Sequence, residues 1–186
     1  MHIPAESIQV LTATRKGDTG TAALNRALQA ALNPAGMGRR EKRFGDLVFR
    51  EGDRVMQTRN DYDVLWERED GTAGAGIFNG DVGKILQIDP SGELISIAFD
   101  DRVATYTAGM LAELDMAYAM TVHKAQGSEY RGVVFVGAPC APSLMVRGVL
   151  YTAITRAREL LVIVGDDSAV NKMAENDRRS RRYSCL

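Results

Sequence analysis

Two short stretches concentrate the side chains able to do chemistry. Residues 117–130, AYAMTVHKAQGSEY, place Thr121, His123, Lys124, Gln126 and Ser128 within eight positions, just ahead of the apolar run VVFV. Hydroxyl, imidazole, ammonium and amide donors so crowded suit phosphodiester oxygens, and Gly127 permits a close backbone approach. The same residues without a ligand read as a helix start with a satisfied core histidine, and for His123 both readings stay open. Residues 150–161, LYTAITRARELL, hold Arg156 and Arg158. A helical pattern over 143–159, with Leu150, Ala153, Ile154 and Ala157 on one face, puts both arginines on a helix. At 100° per residue they diverge by about 200°, so only one can reach a given phosphate. Arg158 lies nearer the Leu150/Ile154 edge and reads as a surface arginine with its stem on apolar neighbours. Arg156 projects to the other flank.

What is missing bounds the chemistry. The chain has no GxxxxGK[ST], since Gly83-Lys84 lacks both the upstream glycine and a following Ser or Thr, and so no glycine-rich nest for nucleotide phosphates. It has no GxSxG, HExxH or EF-hand loop, and only two histidines. Alone it lacks the parts to hydrolyse a nucleoside triphosphate. Cys140 and Cys185 are far apart and show no CxxC spacing, so neither a metal site nor a disulfide framework is expected, and a reducing compartment fits. No apolar run approaches the roughly 18–20 residues of a membrane span, and MHIPAESIQV lacks signal-peptide character. A cytoplasmic location with no membrane partner is expected. With 23 basic against 24 acidic side chains the formal charge is −1, which leaves room for a local basic groove. Eighteen of the basic residues are arginines, the better fork for phosphate, although a genome rich in Arg codons gives the same count.

Elements must position these residues, and the pattern changes twice along the 186-residue chain. Residues 8–13, IQVLTA, read as a strand, TRKGDTG as a loop, and Leu24, Leu28 and Leu32 as a helical stripe ended by Asn33-Pro34. From about 44 to 107 come short alternating β segments, with a turn at Asp89-Pro90-Ser91-Gly92, and these suggest an SH3-sized barrel. Within it, residues 70–76, DGTAGAG, read as a mobile loop. The α/β rhythm then resumes: VVFV at 133–136 and LLVIV at 160–164 are continuous apolar runs expected of strands buried on both faces of a parallel sheet. The tail carries Arg178, Arg179, Arg181 and Arg182. The fold class is therefore α/β: one parallel sheet with flanking helices, interrupted by a small β-barrel.

MTVHKAQGSEY followed by LYTAITRARELLVIVGD resembles motifs V and VI of superfamily 1 DNA helicases. IQVLTATRKGDTGTAALNRALQAALNP, FREGDRVMQTRNDYD and IFNGDVGKI narrow the resemblance to the C-terminal half of RecD-like helicases, the family of the exodeoxyribonuclease V alpha subunit. The resemblance implies a second RecA-like motor domain over 1–42 and 109–186, with an SH3-like barrel inserted at 43–108. It implies that the Walker A lysine and the magnesium-binding acid lie upstream, so that the chain is a fragment, inactive alone and without bound cofactor. ATP and Mg²⁺ would serve the full-length 5′→3′ helicase.

Site roles follow from the same resemblance. Arg156 becomes an arginine finger for the γ-phosphate, and Gly127 and Glu129 line the nucleotide, Glu129 at the ribose. Thr121, His123 and Lys124 face single-stranded DNA, as do Thr14 and Arg15 at the end of the first strand and Arg59 and Asn60 in the insertion. Asn79 and Asp81 shape a turn or the barrel's start. Trp66, in the stretch VLWEREDGTAGAGI that is longer than the family pattern suggests, either stacks on a base or covers the barrel. Expected partners are single-stranded DNA, the N-terminal motor domain of the same polypeptide, and nuclease or repair subunits. Two alternatives remain: a non-catalytic docking module for nucleic acid or protein, and the helicase part of a conjugative relaxase.

Overall fold

The structure, a computed structural model, describes residues 3–36 and 38–177; the Arg-rich run at 178–182 lies outside the described residues. In chain order the main elements are β1 (Ile8–Thr12), α1 (Thr21–Leu32), β2 (Glu41–Phe44), β3 (Leu47–Arg50), β4 (Arg54–Gln57), β5 (Asp61–Glu67), β6 (Ala73–Ile77), β7 (Val82–Ile88), β8 (Leu94–Phe99) and β9 (Arg102–Thr107). They continue as β10 (Leu114–Met116), β11 (Ala119–Thr121), β12 (Tyr130–Gly137), α2 (Arg147–Ile154), β13 (Ala157–Gly165) and α3 (Asp167–Glu175). The chain divides into two compact units, Met1–Leu24 with Ala119–Leu186, and Asn25–Tyr118.

The first unit holds a four-stranded sheet in the order β11-β1-β12-β13, with parallel neighbours throughout. Its central strands are buried: Leu11, Val133 and Phe135 are fully enclosed. The run LLVIV does form β13, but on the sheet's edge, and Leu160, Val162, Ile163 and Val164 stay 38 to 44% exposed. Apolar continuity therefore predicted the strand but not its burial: it encodes a strand suited to cover on both faces, whatever supplies that cover.

The helix expected over 143–159 is also corrected. α2 ends at Ile154, Arg156 lies in the turn, and Arg158 is on β13. Strand pairing outcompetes the helical pattern here. Tyr130 is in register with Ala157, and the Tyr130 amide donates to the Arg156 carbonyl at 2.8 Å.

The second unit is built on a seven-stranded sheet, order β10-β4-β7-β8-β9-β5-β6, antiparallel at every pairing, with β2 and β3 forming a separate hairpin. The expected small β unit is thus a multi-stranded antiparallel sheet, and among the described residues no ladder joins β10 to β6 to close it. Alternation produces its core: Ile95, Ile97 and Phe99 of β8 pack with Phe49, Val55, Ile77, Ile85 and Tyr106. The turn at 89–92 joins β7 to β8 as expected. Asp89 accepts from Ser91 and Leu94, and these bonds pull its carboxyl down to about 2.

Only the first part of the segment 70–76 is a loop: residues 70–72 turn between β5 and β6, and residues 73–77 form β6 and pair with β5. Gly74 serves packing. A Cβ on Gly74 would fall 2.4 Å from the Trp66 ring, so the indole can lie on β6 only if that position lacks a side chain. Trp66 packs against the core cluster between Arg68 and Arg102, whose guanidinium carbons are 5.3 and 5.8 Å from its ring centroid. Covering the sheet is its role.

The helix α1 reverses another expectation. Leu32 is exposed and Leu24 and Leu28 are only half-buried, whereas Asn25 and Asn33 are buried. Asn25, Gln29 and Asn33, spaced by four, form the docking stripe. Asn25 donates to the Met116 carbonyl at 3.0 Å, and Gln29 to the Val48 carbonyl at 2.8 Å. Gln29 and Asn33 also donate to Asp53, which is fully buried, at 2.6 and 2.7 Å. The Arg50 amide and the Tyr118 hydroxyl complete that carboxylate's partners at 2.7 and 2.9 Å. A buried charge is tolerable when it is so fully satisfied.

Candidate functional site

In the parallel unit, residues 122–129 link the end of β11 to the start of β12 through tight turns. The Lys124 and Ala125 amides donate to the Thr121 carbonyl at 3.0 and 3.2 Å, and Val122 and Ala125 are buried beneath. The Thr121 hydroxyl accepts from the Lys124 amide at 3.4 Å, so this side chain supports the turn. His123 is exposed, as are Gln126, Gly127, Ser128 and Glu129, which sets aside the core-histidine reading. Gly127 takes φ 88°, a left-handed backbone that a larger residue adopts at a cost.

Arg156 is half-buried in the turn before β13, and its guanidinium is laid along its own lobe. Nη1 donates to the Ser128 carbonyl at 2.9 Å, Nε to the Thr152 carbonyl at 3.3 Å, and Nη2 to the Thr155 hydroxyl at 3.2 Å. All three acceptors are neutral. Arg158 differs: its Nε donates to Glu129 Oε2 at 2.7 Å. That bond, with the Arg158 charge and the more distant charge of Arg156, holds the Glu129 carboxyl below its ordinary range. Both arginines thus meet residues 128–129, contrary to the 200° divergence that a helix would impose. The structure brings Gly127, Glu129 and Arg156 together, and it adds Ser128 and Arg158.

The other expected residues fall into separate places. Thr14 and Arg15 follow β1, at the C-terminal edge of the parallel sheet. There Thr14 lines a cavity of about 450 Å³ with Lys16, Thr19, Pro139 and Cys140, and its hydroxyl donates to the Lys16 carbonyl at 3.3 Å. His123 and Gln126 line a larger cavity of about 640 Å³ with Leu144, Arg147, Tyr151 and Thr152. Both cavities sit between crossover segments at or near strand ends, where open α/β sheets bind ligands.

In the antiparallel unit, Arg59 is two-thirds exposed and paired with the nearly buried Glu113, which raises its already high pKa. Glu113 in turn accepts from the buried Gln57 at 2.9 Å. The Asn60 side-chain Oδ1 accepts from the Asn79 amide at 3.0 Å, and Asp81 accepts from the Phe78 amide at 3.0 Å, so Asn79 and Asp81 shape the turn before β7. Sequence reading missed two exposed aromatic rings beside this site, Tyr62 and Phe78, in an edge-to-face pair with centroids 5.7 Å apart. The aromatic flanks of NDYD and FNGD were the available signal.

Two family models match in chain order: the ATP-dependent RecD-like DNA helicase SH3 domain over residues 24–99, and the UvrD-like helicase C-terminal domain over 116–164. The ATP-dependent RecD2 DNA helicase of Deinococcus radiodurans is 37% identical over 180 residues, covering 97% of this chain and 23% of that protein. The chain belongs to the RecD-like helicase family. The RecBCD enzyme subunit RecD of Mycobacterium tuberculosis (H37Rv) is 31% identical over 181 residues, covering 96% of the chain and 28% of the relative. The RecD-like chain thus spans about a quarter of the length of these relatives. Its fold is shared with the Pif1 helicase from Bacteroides in complex with ADP-AlF3 and ssDNA, at TM-score 0.54 and 18% identity over 89% of this chain and 41% of that one. Pif1 from Candida albicans gives TM-score 0.54 and 16% identity over 93% and 47%.

Among the described residues no three His, Cys, Asp or Glu side chains come together as a metal site, and no helix is long and apolar enough to cross a membrane.

Proposed function

We propose that the chain is the second motor lobe of an ATP-dependent DNA helicase that moves 5′→3′ along single-stranded DNA. One observation carries the reading: the Arg156 guanidinium rests on two carbonyls and a hydroxyl beside residues 128–129, with no carboxylate bound to it among the described residues. A guanidinium so placed can exchange weak neutral acceptors for a phosphate without first breaking an ion pair. ATP would lie between this lobe and a first lobe that supplies the phosphate-binding loop and the acid for Mg²⁺, consistent with the far greater length of the relatives. Charge develops on the transferring phosphoryl oxygens, and Arg156 would stabilise it from across the cleft.

Glu129 would accept from the ribose, and Gly127 would let backbone approach the nucleotide. His123 and Lys124, with Thr121 supporting their turn, would meet the DNA backbone, as would Thr14 and Arg15 at the sheet edge and Arg59 and Asn60 in the SH3-like unit. Opening and closing of the cleft would then move one lobe relative to the other along the strand. The mycobacterial relative is named as a subunit of the RecBCD enzyme, which supports a place for this chain's protein beside other subunits.

The test is Arg156→Ala in the complete helicase polypeptide. DNA-stimulated ATP turnover is expected to fall by roughly 10³–10⁵. Turnover within a few-fold of wild type would overturn the assignment.

A further inference from the structure

Arg158 reads from the sequence as a surface arginine, and its side chain is indeed 66% exposed. Its partner gives it a purpose. The turn at Ser128–Glu129 is gripped from two sides, by Arg156 on the Ser128 carbonyl at 2.9 Å and by Arg158 on Glu129 Oε2 at 2.7 Å. The two arginines flank Ala157, which is in register with Tyr130, so the grip is built into the first step of the β12–β13 ladder.

As a source of stability such an exposed pair counts for little, because solvent screens it and two long side chains must be ordered. Geometry is what it supplies. Glu129 has three rotatable bonds on an exposed turn, and Arg158 fixes its direction through one oxygen. Oε1 has no bonded partner among the described residues and remains a ready acceptor. The carboxyl is ionised at neutral pH with or without this pair, and in that form it can only accept hydrogen bonds.

We propose that Arg158 is a positioning residue: it aims the Glu129 carboxylate at the ribose hydroxyls of the nucleotide. This rests on the assignment of Glu129 to the ribose made above. A hydroxyl donating to a carboxylate makes a charge-assisted bond whose strength depends on alignment. A glutamate free to swing would keep its charge but lose the bond.

The experiment compares ATP with 2′,3′-dideoxy-ATP as substrates of the complete helicase. Wild type is expected to prefer ATP by about tenfold or more in kcat/KM, the typical scale for a hydrogen bond to a charged group. Glu129→Ala removes the preference. Arg158→Gln reduces it to within about threefold of none, chiefly through KM for ATP with kcat within about twofold, and Arg158→Lys restores part of it. Should Glu129→Ala abolish the preference while Arg158→Gln retains it in full, Arg158 has no positioning role and the Glu129 assignment stands. Should Glu129→Ala itself retain the preference, the ribose assignment falls and takes this inference with it.

Discussion

The two units differ in where they leave apolar side chains exposed. In the antiparallel unit Phe49, Ile77, Ile85, Ile95, Ile97 and Tyr106 are wholly enclosed by its own strands. In the parallel unit Leu11, Ala119, Val133, Phe135, Ala153 and Met173 are as well enclosed, yet β13 carries apolar residues about two-fifths exposed. The antiparallel unit also exposes apolar side chains, Tyr62, Leu65, Phe78, Leu86 and Leu94 among them, but they are scattered over several strands and turns. The parallel unit concentrates its exposed apolar residues on one strand, β13, and carries the candidate residues Gly127, Glu129 and Arg156 at turns between strands. The antiparallel sheet is held by its interior, while the parallel unit leaves one apolar strand and the candidate site open to solvent.

Removing the centre of the polar dock should break this contrast most severely. Asp53→Ala leaves donors from Gln29, Asn33, Arg50 and Tyr118 without their acceptor, and a loss of about 3–5 kcal/mol is expected from denaturant unfolding. A loss below about 1 kcal/mol would mean that the network is not what ties α1 to the sheet.

A matched pair sharpens the contrast next. Ile97→Ala in β8 should cost about 2–5 kcal/mol. Ile163→Ala in β13, where the side chain is already 41% exposed, should cost less than half as much. Equal losses from thermal or denaturant unfolding would show that β13 is as well buried as β8.

Alkali should then distinguish the units. Burial, with the negative charges of Glu113 and Asp53 respectively, pushes the Tyr106 and Tyr118 hydroxyls well above the ordinary value of 10.0. Above pH 10 the unfolded chain loses these protons while the folded unit keeps them, so stability is full below that pH and falls as pH rises. The slope gives about 1 kcal/mol per tyrosine by pH 11. Tyr106→Phe and Tyr118→Phe should each flatten the stability–pH curve of the antiparallel unit, and a curve unchanged in both variants would contradict the assignment.

The smallest effect belongs to Arg59. Arg59→Ala should lower the slope of log affinity for single-stranded DNA against log salt by about one contact's worth. An unchanged slope would remove Arg59 from the DNA surface.

Much of this was legible in the residues. IQVLT, VVFV and LLVIV named three parallel strands, and the alternation of Ile95, Ile97 and Phe99 named a half-buried one, because those periods report backbone geometry directly. The order of TVHKAQGSEY and YTAITRA marked the reactive turns. Competition between patterns hid the rest. The helical spacing across Ala153–Ala157 also fits the last turn of a helix feeding a strand, and only pairing with β12 decides between them. The α1 leucines drew attention from Asn25, Gln29 and Asn33, whose value lies in acceptors far along the chain. Gly74 read as loop material because a glycine's close neighbour, here the Trp66 ring, is invisible in one dimension.

The most direct measurement is a single turnover of pre-bound ATP by the complete helicase on saturating single-stranded DNA, wild type against Arg156→Ala. The account predicts ATP affinity within about threefold and a hydrolysis step slower by roughly a thousandfold or more, because the guanidinium acts when charge moves. Weakened ATP binding with an unchanged hydrolysis step would contradict it.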